Sequence, residues 1–220
     1  MKNFSNRYML LYSLGLAAVV ALLLTLVATG LKSRQQANIR NEKMQQLLAT
    51  IGVKCERDGV EPVYRQYFKQ ELNLAGDGNE PLTIYLYEKD GQNGYVIPTT
   101  GNGLWGKVYA NVALADDLNT ITGITFSHDS ETPGLGAEIT SDAFCKQFVG
   151  KKILDDQGTV VSVAVLKHAD PSDPHQVDAI SGGTMTSNGV SAMLIDELSR
   201  YQDYITSQRK EADNDMPESF

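Results

Sequence analysis

Hydrophobic and polar positions divide the chain into an apolar N-terminal run, an amphipathic segment, a region of alternating positions and a helical C-terminal segment. Residues 9–31, MLLYSLGLAAVVALLLTLVATGL, contain no charge. As a helix they would extend roughly 34 Å at 1.5 Å per residue, enough to cross a hydrocarbon core of about 30 Å. A signal peptide is the alternative, but its apolar core is shorter, about 7–15 residues, and ends in a small-x-small cleavage site. The run therefore predicts a single retained membrane anchor.

The charges that flank the anchor leave its orientation open. Two of them, Lys2 and Arg7, precede the run, whereas Lys32, Arg34 and Arg40 follow it. The positive-inside count slightly opposes an outside location for the rest of the chain, although long domains are translocated largely regardless of such charges.

The segment after the anchor is polar and then amphipathic. Its apolar positions recur at helical spacing: Met44, Leu47, Leu48 and Ile51. This pattern predicts a helix that ends near Gly52. The sequence PVYRQYFKQEL, residues 62–72, predicts a second short helix. We therefore expect a helical connecting region over residues 32–80.

From residue 81 onwards the pattern favours strands. LTIYLYE is rich in β-branched and aromatic residues, and KDGQNGYVIP follows it with two turn signals. KVYANVALA and NTITGITFSHD predict a second hairpin around DDLN, and GTVVSVAVLK predicts a further strand. SDAFCKQFVGKKI predicts a helix capped by Ser141. Apolar positions from Val190 to Tyr201 predict a last helix of about five turns, before a polar, disordered tail at 209–220.

Hairpins mixed with helices, without regular βαβ alternation, indicate an α+β fold. The 220 residues are 42% apolar and carry a net charge of −8. An acidic chain without a basic patch is a poor partner for nucleic acid. The two cysteines, Cys55 and Cys145, exclude a zinc or iron–sulfur spacing, and they are compatible with a disulfide or with two buried thiols. We expect no metal site.

One stretch stands out chemically, DAISGGTMTSNGV at residues 178–190. It combines a short apolar strand, a glycine-rich turn with several hydroxyls, and the start of a helix. A helix N-terminus has unpaired N–H groups that favour anions, and glycine lets a phosphate approach the backbone. Plain capping by Ser181, Thr184 or Ser187 is an equally good interpretation. A nucleotide-triphosphate loop is disfavoured because the required lysine is missing, and G-x-S-x-G is also absent.

Two other loops are rich in glycine. TTGNGLWGKVY carries the only tryptophan, Trp105, and SETPGLGAEI places Glu131 and Thr132 before a Pro-Gly-Leu-Gly turn. Such loops suit a flat ring with polar edges, although each is also compatible with an ordinary turn. The three histidines, His128, His168 and His175, are scattered in predicted loops and are interpreted as surface residues. No residue is predicted to be an acid–base catalyst.

The anchor, GNGLWGKVYANVAL, ETPGLGAEI and DAISGGTMTSNGV occur in this order. Together they resemble the C subunit of the sodium-translocating NADH:quinone oxidoreductase, from the anchor to about residue 201. The G subunit of the ion-translocating ferredoxin:NAD complex shares the final motif. In the family this motif is Asp-x-(Leu/Ile/Val)-Ser-Gly-Ala-(Ser/Thr)-x-Thr, and FMN is attached through its phosphate to the last threonine. That position is Thr186, and Gly183 stands where the family usually has alanine.

The resemblance implies an FMN-binding domain at 81–208, after an N-terminal flank at 1–8, an anchor at 9–31 and the connecting region. It implies two sets of cofactor-binding residues. The flavin ring would lie near Trp105, Glu131, Thr132, Gly134, Leu135 and Gly136. The attachment turn would comprise Asp178, Ser181, Gly182, Gly183, Thr184, Met185 and Thr186.

The resemblance also implies a function and partners. The chain would be an electron relay in a complex that oxidises NADH, reduces ubiquinone and exports sodium. A separate flavin transferase would attach the FMN, and the soluble domain would lie on the periplasmic side of the bacterial inner membrane. No nicotinamide site is expected in this chain, because it lacks a Rossmann glycine fingerprint. The alternatives are the equivalent flavoprotein of the ferredoxin-linked complex and a membrane-tethered module that binds a phosphorylated ligand reversibly.

Overall fold

The computed structural model describes residues 5–56, 59–76 and 81–214, of which 211–214 are described by their backbone only. The chain divides into two compact units, with the division between Lys43 and Met44. The predicted domain boundaries at residues 31, 80 and 208 stay predictions.

Helix α1 runs from Asn6 to Thr50 and contains the whole predicted anchor. Within the described residues it is the helix whose length and composition allow it to cross a membrane. Its large apolar side chains between Tyr8 and Leu31 lie exposed rather than in a protein core. Exposed leucines at this density are unfavourable in water, whereas a lipid environment accommodates them.

The second unit is built on one antiparallel sheet of five strands in sequential order. The strands are β1 (Phe68–Leu74), β2 (Leu82–Lys89), β3 (Gln92–Asn102), β4 (Lys107–Ala115) and β5 (Ile121–His128). Both predicted hairpins are present, β2–β3 and β4–β5. With the helices that pack on this sheet, the structure confirms the α+β class.

The predicted helix at 62–72 is wrong in its second half. Helix α2 runs from Val60 to Tyr67, and the chain then extends into β1. The rings of Phe68 and Tyr64 stack at 4.6 Å between centroids, and Phe68 pairs with Tyr87 of β2. Pairing with the sheet therefore overrides a local sequence that reads as helical, as is common for short edge strands.

The C-terminal prediction also needs correction. Helix α4 (Thr184–Ser199) begins at the glycine turn, and α5 (Gln202–Asn214) extends into the segment predicted to be disordered. Tyr201 and Ile205 are buried at the start of α5. Buried apolar contacts of this kind fix a helix whose later residues are polar. The remaining part of the predicted tail, 215–220, lies outside the described residues.

Between the sheet and α4 the chain is mostly irregular. A 3-10 helix (Gly136–Thr140) leads into α3 (Asp142–Lys146), where the Ser141 hydroxyl accepts a hydrogen bond from the Phe144 amide and confirms the predicted cap. The strand predicted at 158–167 is reduced to β6 (Ala164–Leu166), which pairs in parallel with β7 (Gln176–Asp178). Positive φ at Ser162 interrupts an extended run there.

Helix α4 lies against β3 at a distance that only glycines permit. A side chain at Gly189 would collide with the carbonyl oxygen of Asn102, and one at Gly101 would collide with Met193. This close packing holds the first turn of α4 beside the loop that follows β3.

Candidate functional site

A cavity of about 220 Å³ opens where the first turn of α4 meets the β3–β4 loop and the loop after β5. It brings together residues from three separate stretches of sequence. They are Leu104, Trp105, Glu131, Thr132, Leu135, Gly136, Gly182, Gly183, Thr184, Met185 and Thr186. Ten of these eleven were predicted site residues, and Leu104 is the addition.

The centre of the site is a contact between Glu131 and Thr186. The Thr186 hydroxyl donates a hydrogen bond to Oε2 of Glu131 at 2.7 Å, across 55 positions of sequence. Thr186 is 1% exposed and Glu131 is 4% exposed. A buried carboxylate is costly unless it is hydrogen-bonded, so Glu131 depends on the donors around it.

Backbone amides supply the other donors to Glu131. The Trp105 amide donates to Oε1 at 2.9 Å. Burial raises the pKa of this carboxyl group, but the hydrogen bonds from the Trp105 amide and the Thr186 hydroxyl outweigh it and lower the pKa of Glu131 below its usual range. The amides of Leu104 and Gly106 lower it further. Glu131 is therefore an anion at neutral pH.

His128, which the sequence pattern indicates to be a surface residue, is a neighbour of the site. The Glu131 amide donates a hydrogen bond to Nδ1 of His128 at 3.2 Å, from the residue that ends β5. This contact requires an unprotonated Nδ1 and fixes the backbone at Glu131. In the sequence HDSE, His128 precedes Glu131 by three residues, and this short spacing is the signal that could have indicated the contact.

Four large apolar side chains surround the mouth of the cavity, and we call them the apolar rim. They are Leu104, Trp105, Leu135 and Met185, which are 50%, 67%, 45% and 60% exposed. Exposed apolar residues that cluster around a cavity are typical of a ligand or protein contact. The family resemblance predicts a ring contact for Trp105, whereas its neighbour Leu104 is not among the predicted residues.

The first turn of α4 offers unpaired N–H groups. The residue before it, Gly183, provides no side-chain hydrogen bond as a cap. Gly182 has a φ of 72°, which favours glycine and turns the chain sharply into the helix. A Cβ at Gly183 would collide with the Ile180 side chain, which is flexible, so alanine at this position is compatible with a rotation of Ile180.

Three predicted site residues lie outside this cavity. The Asp178 carboxylate accepts a hydrogen bond from the Ala169 amide at 3.0 Å and so stabilises a turn. Ser181 lines a second cavity of about 370 Å³ on the other side of the glycine turn. Gly134 has a φ of 75° and allows the loop to turn before Leu135.

Both cysteines, Cys55 and Cys145, are free thiols, so of the two interpretations of the sequence the disulfide is not the one formed.

Gly136 lies directly against the hydrogen bond between Glu131 and Thr186. A Cβ at this position would collide with Oε2 of Glu131 and with Oγ1 of Thr186. We therefore expect Gly136→Ala to destabilise the folded chain by about 1–3 kcal/mol, the usual cost of overpacking, and to separate Glu131 from Thr186. Thermal unfolding of the full chain in detergent measures the first effect. Glu138→Ala, an exposed change in the same 3-10 helix, is the control, and equal melting temperatures for both variants would contradict this packing.

Comparison with known proteins places this site in a family. Residues 103–199 match the family model described as an FMN-binding domain. A crystal structure of the C subunit of the Na⁺-translocating NADH-quinone reductase from Parabacteroides distasonis is 37% identical, with a TM-score of 0.73, and the match covers 80% of this chain and 97% of that chain. The chain belongs to the C-subunit family of the Na⁺-translocating NADH-quinone reductase.

Sequence relatives agree with this family. The C subunit of the Vibrio vulnificus reductase is 29% identical over 214 aligned positions, and the match covers 80% of this chain and 84% of the relative. The C subunit from Yersinia pestis is 45% identical over 111 residues, 50% of this chain and 42% of the relative. The matched segment 103–199 contains the whole cavity lining, so the part of the chain that carries the family likeness also carries the site.

Proposed function

We propose that this C-subunit homologue is a membrane-anchored electron carrier whose FMN is bonded through its phosphate to the Thr186 hydroxyl. It would work in a complex that couples NADH oxidation and quinone reduction to sodium export. One observation carries this proposal: Thr186 lines a cavity that has an anion-favouring helix terminus on one side and an apolar rim on the other.

The residues of the cavity fit the parts of FMN. The phosphodiester would lie at the first turn of α4, where backbone N–H groups and the helix dipole favour a negative charge. Trp105 and Leu135 would contact the flat faces of the ring, and the carboxylate of Glu131 lies near the attachment point. When bound, FMN supplies electron transfer at its ring, and the protein contributes position and electrostatic environment.

The size of the cavity indicates that the ring would remain partly open to the surroundings. Cavities that enclose a whole ligand of this kind measure about 300–1,000 Å³, whereas this one measures about 220 Å³. A partly exposed ring suits a carrier that exchanges electrons with neighbouring proteins of the complex. The exposed apolar rim would be the contact surface around it.

We also propose a location. The exposed apolar side chains of α1 would lie in the bacterial inner membrane, and the second unit would lie on its periplasmic side. The flanking charges do not favour this orientation, so it rests on the family resemblance alone. Partners would be the other subunits of the complex and a flavin transferase that loads the FMN.

Intact mass spectrometry of the full chain, expressed beside a flavin transferase, tests the central proposal. We expect the mass to exceed that of the polypeptide by FMN less one water, and the flavin to remain after denaturation. A peptide map should assign the added mass to Thr186. A chain with only the polypeptide mass would contradict covalent attachment and favour a module that binds a phosphorylated ligand reversibly.

A further inference from the structure

We propose that Glu131 is the general base of flavin attachment: its carboxylate accepts the proton that the Thr186 hydroxyl loses when the phosphoester forms. This inference rests on the proposed function. It adds a catalytic residue on the acceptor chain itself, where a threonine hydroxyl alone is a poor nucleophile.

The geometry meets the first requirement for a base. A general base must lie within about 2.6–3.2 Å of the atom whose proton it takes, and Oε2 of Glu131 lies 2.7 Å from Oγ1 of Thr186. The hydroxyl hydrogen already points at the carboxylate. Oγ1 uses its hydrogen and not a lone pair in this contact, and because Thr186 is 1% exposed the turn must open before a phosphorus atom can reach it.

The protonation state meets the second requirement. Its amide and hydroxyl donors keep Glu131 ionised at neutral pH, and because the same donors weaken it as a base, its contribution would come from its position against the Thr186 hydroxyl. The Trp105 amide holds the other carboxylate oxygen, Oε1, which fixes the direction in which Oε2 points. The Glu131 backbone is fixed in turn by His128.

Among the residues that line the cavity, no other side chain is a better candidate. Thr184 and Met185 share the cavity with Thr186 but offer no base, and Asp178 is engaged with the Ala169 amide outside the cavity. Among the residues that line the cavity, Glu131 is the one with a titratable side chain.

The reaction balances with a flavin adenine dinucleotide as the donor. Oγ1 of Thr186 attacks the phosphorus that carries the flavin, and the Oγ1–P bond forms. The P–O bond of the anhydride breaks, and adenosine monophosphate leaves with the electron pair. The proton of Oγ1 passes to Oε2 of Glu131 and later exchanges with water. Nothing is oxidised or reduced in this step.

The test is the rate of flavin attachment to the purified, unloaded full chain in detergent, with a flavin transferase and flavin adenine dinucleotide, followed by intact mass. General-base catalysis contributes roughly 10²–10⁴-fold, so we expect Glu131→Gln to be loaded at least about 100-fold more slowly. The maximal rate should fall while the acceptor concentration for half-maximal rate stays the same. Glu138→Gln, the same chemical change at an exposed position nearby, should react at the wild-type rate.

Two outcomes separate this inference from the proposed function. A wild-type chain that takes up no flavin would contradict covalent attachment itself. A wild-type chain that is loaded, with Glu131→Gln loaded equally fast, would overturn only the role of Glu131.

A second variant keeps the test decisive if Glu131→Gln does not fold. Glu131→Asp retains the charge but withdraws the carboxylate by roughly 1.5 Å, the length of one C–C bond. We expect it to fold with a lower melting temperature, because its hydrogen bonds to the Trp105 amide and the Thr186 hydroxyl are stretched, and to react more slowly than the wild type. Attachment to Glu131→Asp at the wild-type rate would overturn the proposal.

Discussion

A chain with Thr186→Ala should show the mass of the bare polypeptide even when it is expressed beside a flavin transferase. Alanine has no oxygen to form the phosphoester, and in the described part of the chain the hydroxyl that bonds to Glu131 is that of Thr186. The effect is all-or-none, and intact mass together with flavin fluorescence in denaturing gels would measure it. Covalent flavin retained in this variant would contradict the assignment of Thr186.

Two controls test whether attachment requires a hydroxyl at position 186 in particular. Thr186→Ser keeps a hydroxyl on the same carbon and should still be loaded. Thr184→Ala removes an exposed hydroxyl from the same turn and the same cavity, and it should also be loaded, because the acceptor is unchanged. Loss of flavin in Thr184→Ala alone would move the attachment point to that residue.

Thr186→Ala should also lower stability in a pH-dependent way. It removes a hydrogen bond to a buried charge, which contributes about 1.5–3 kcal/mol. Because the pKa of Glu131 is lowered in the folded chain, its hydrogen bonds stabilise the fold above the ordinary glutamate pKa of about 4.3, and this stability is lost as the pH falls through the folded pKa. The difference in melting temperature between the unloaded wild type and the variant should therefore be full at neutral pH and shrink in acid.

Gly189→Ala should destabilise the chain, although the same change in an ordinary helix interior gains about 1 kcal/mol. The new methyl group would collide with the carbonyl oxygen of Asn102, and it would lie 3.4 Å from the Cα of Gly103. These are backbone atoms of β3 and the loop after it, so they cannot rotate away. We expect a net loss of about 1–3 kcal/mol from overpacking and a slower loading of Thr186, because α4 must shift away from the β3–β4 loop.

Thermal unfolding of the full chain in detergent, with attachment rates in parallel, measures this prediction. The matched control is Asn188→Ala at the neighbouring, exposed position of α4. Alanine has the higher helix propensity, so this variant should be as stable as the wild type or slightly more stable. If Gly189→Ala were equally stable, the close contact between α4 and β3 would be contradicted.

The sequence allowed the elements with strong local signals to be predicted. The two hairpins contain typical turn residues, and Ser141 is a typical helix N-cap. These elements therefore depend little on distant contacts. The first turn of α5 was missed because Ile205 is fixed by burial that only the tertiary structure provides. The edge strand β1 was missed because its polar residues also suit a short helix.

The family resemblance could name most of the residues that line the cavity, but it could not give their arrangement. Glu131 and Thr186 were each expected to bind the cofactor, the first near the ring and the second at the phosphate. Their direct hydrogen bond joins loops 55 positions apart, and no local pattern encodes such a contact. The role of Gly189 was also hidden, because a glycine inside a helix is explained only by the strand that lies against it.

The apolar rim has a consequence for handling the protein. Its four side chains expose apolar surface to water as long as neither a flavin ring nor a neighbouring protein covers them. Such surfaces promote self-association. Flavin-free preparations should therefore form aggregates more readily than flavin-loaded ones at equal concentration, and the yellow fraction should be the better starting material for reconstituting the complex.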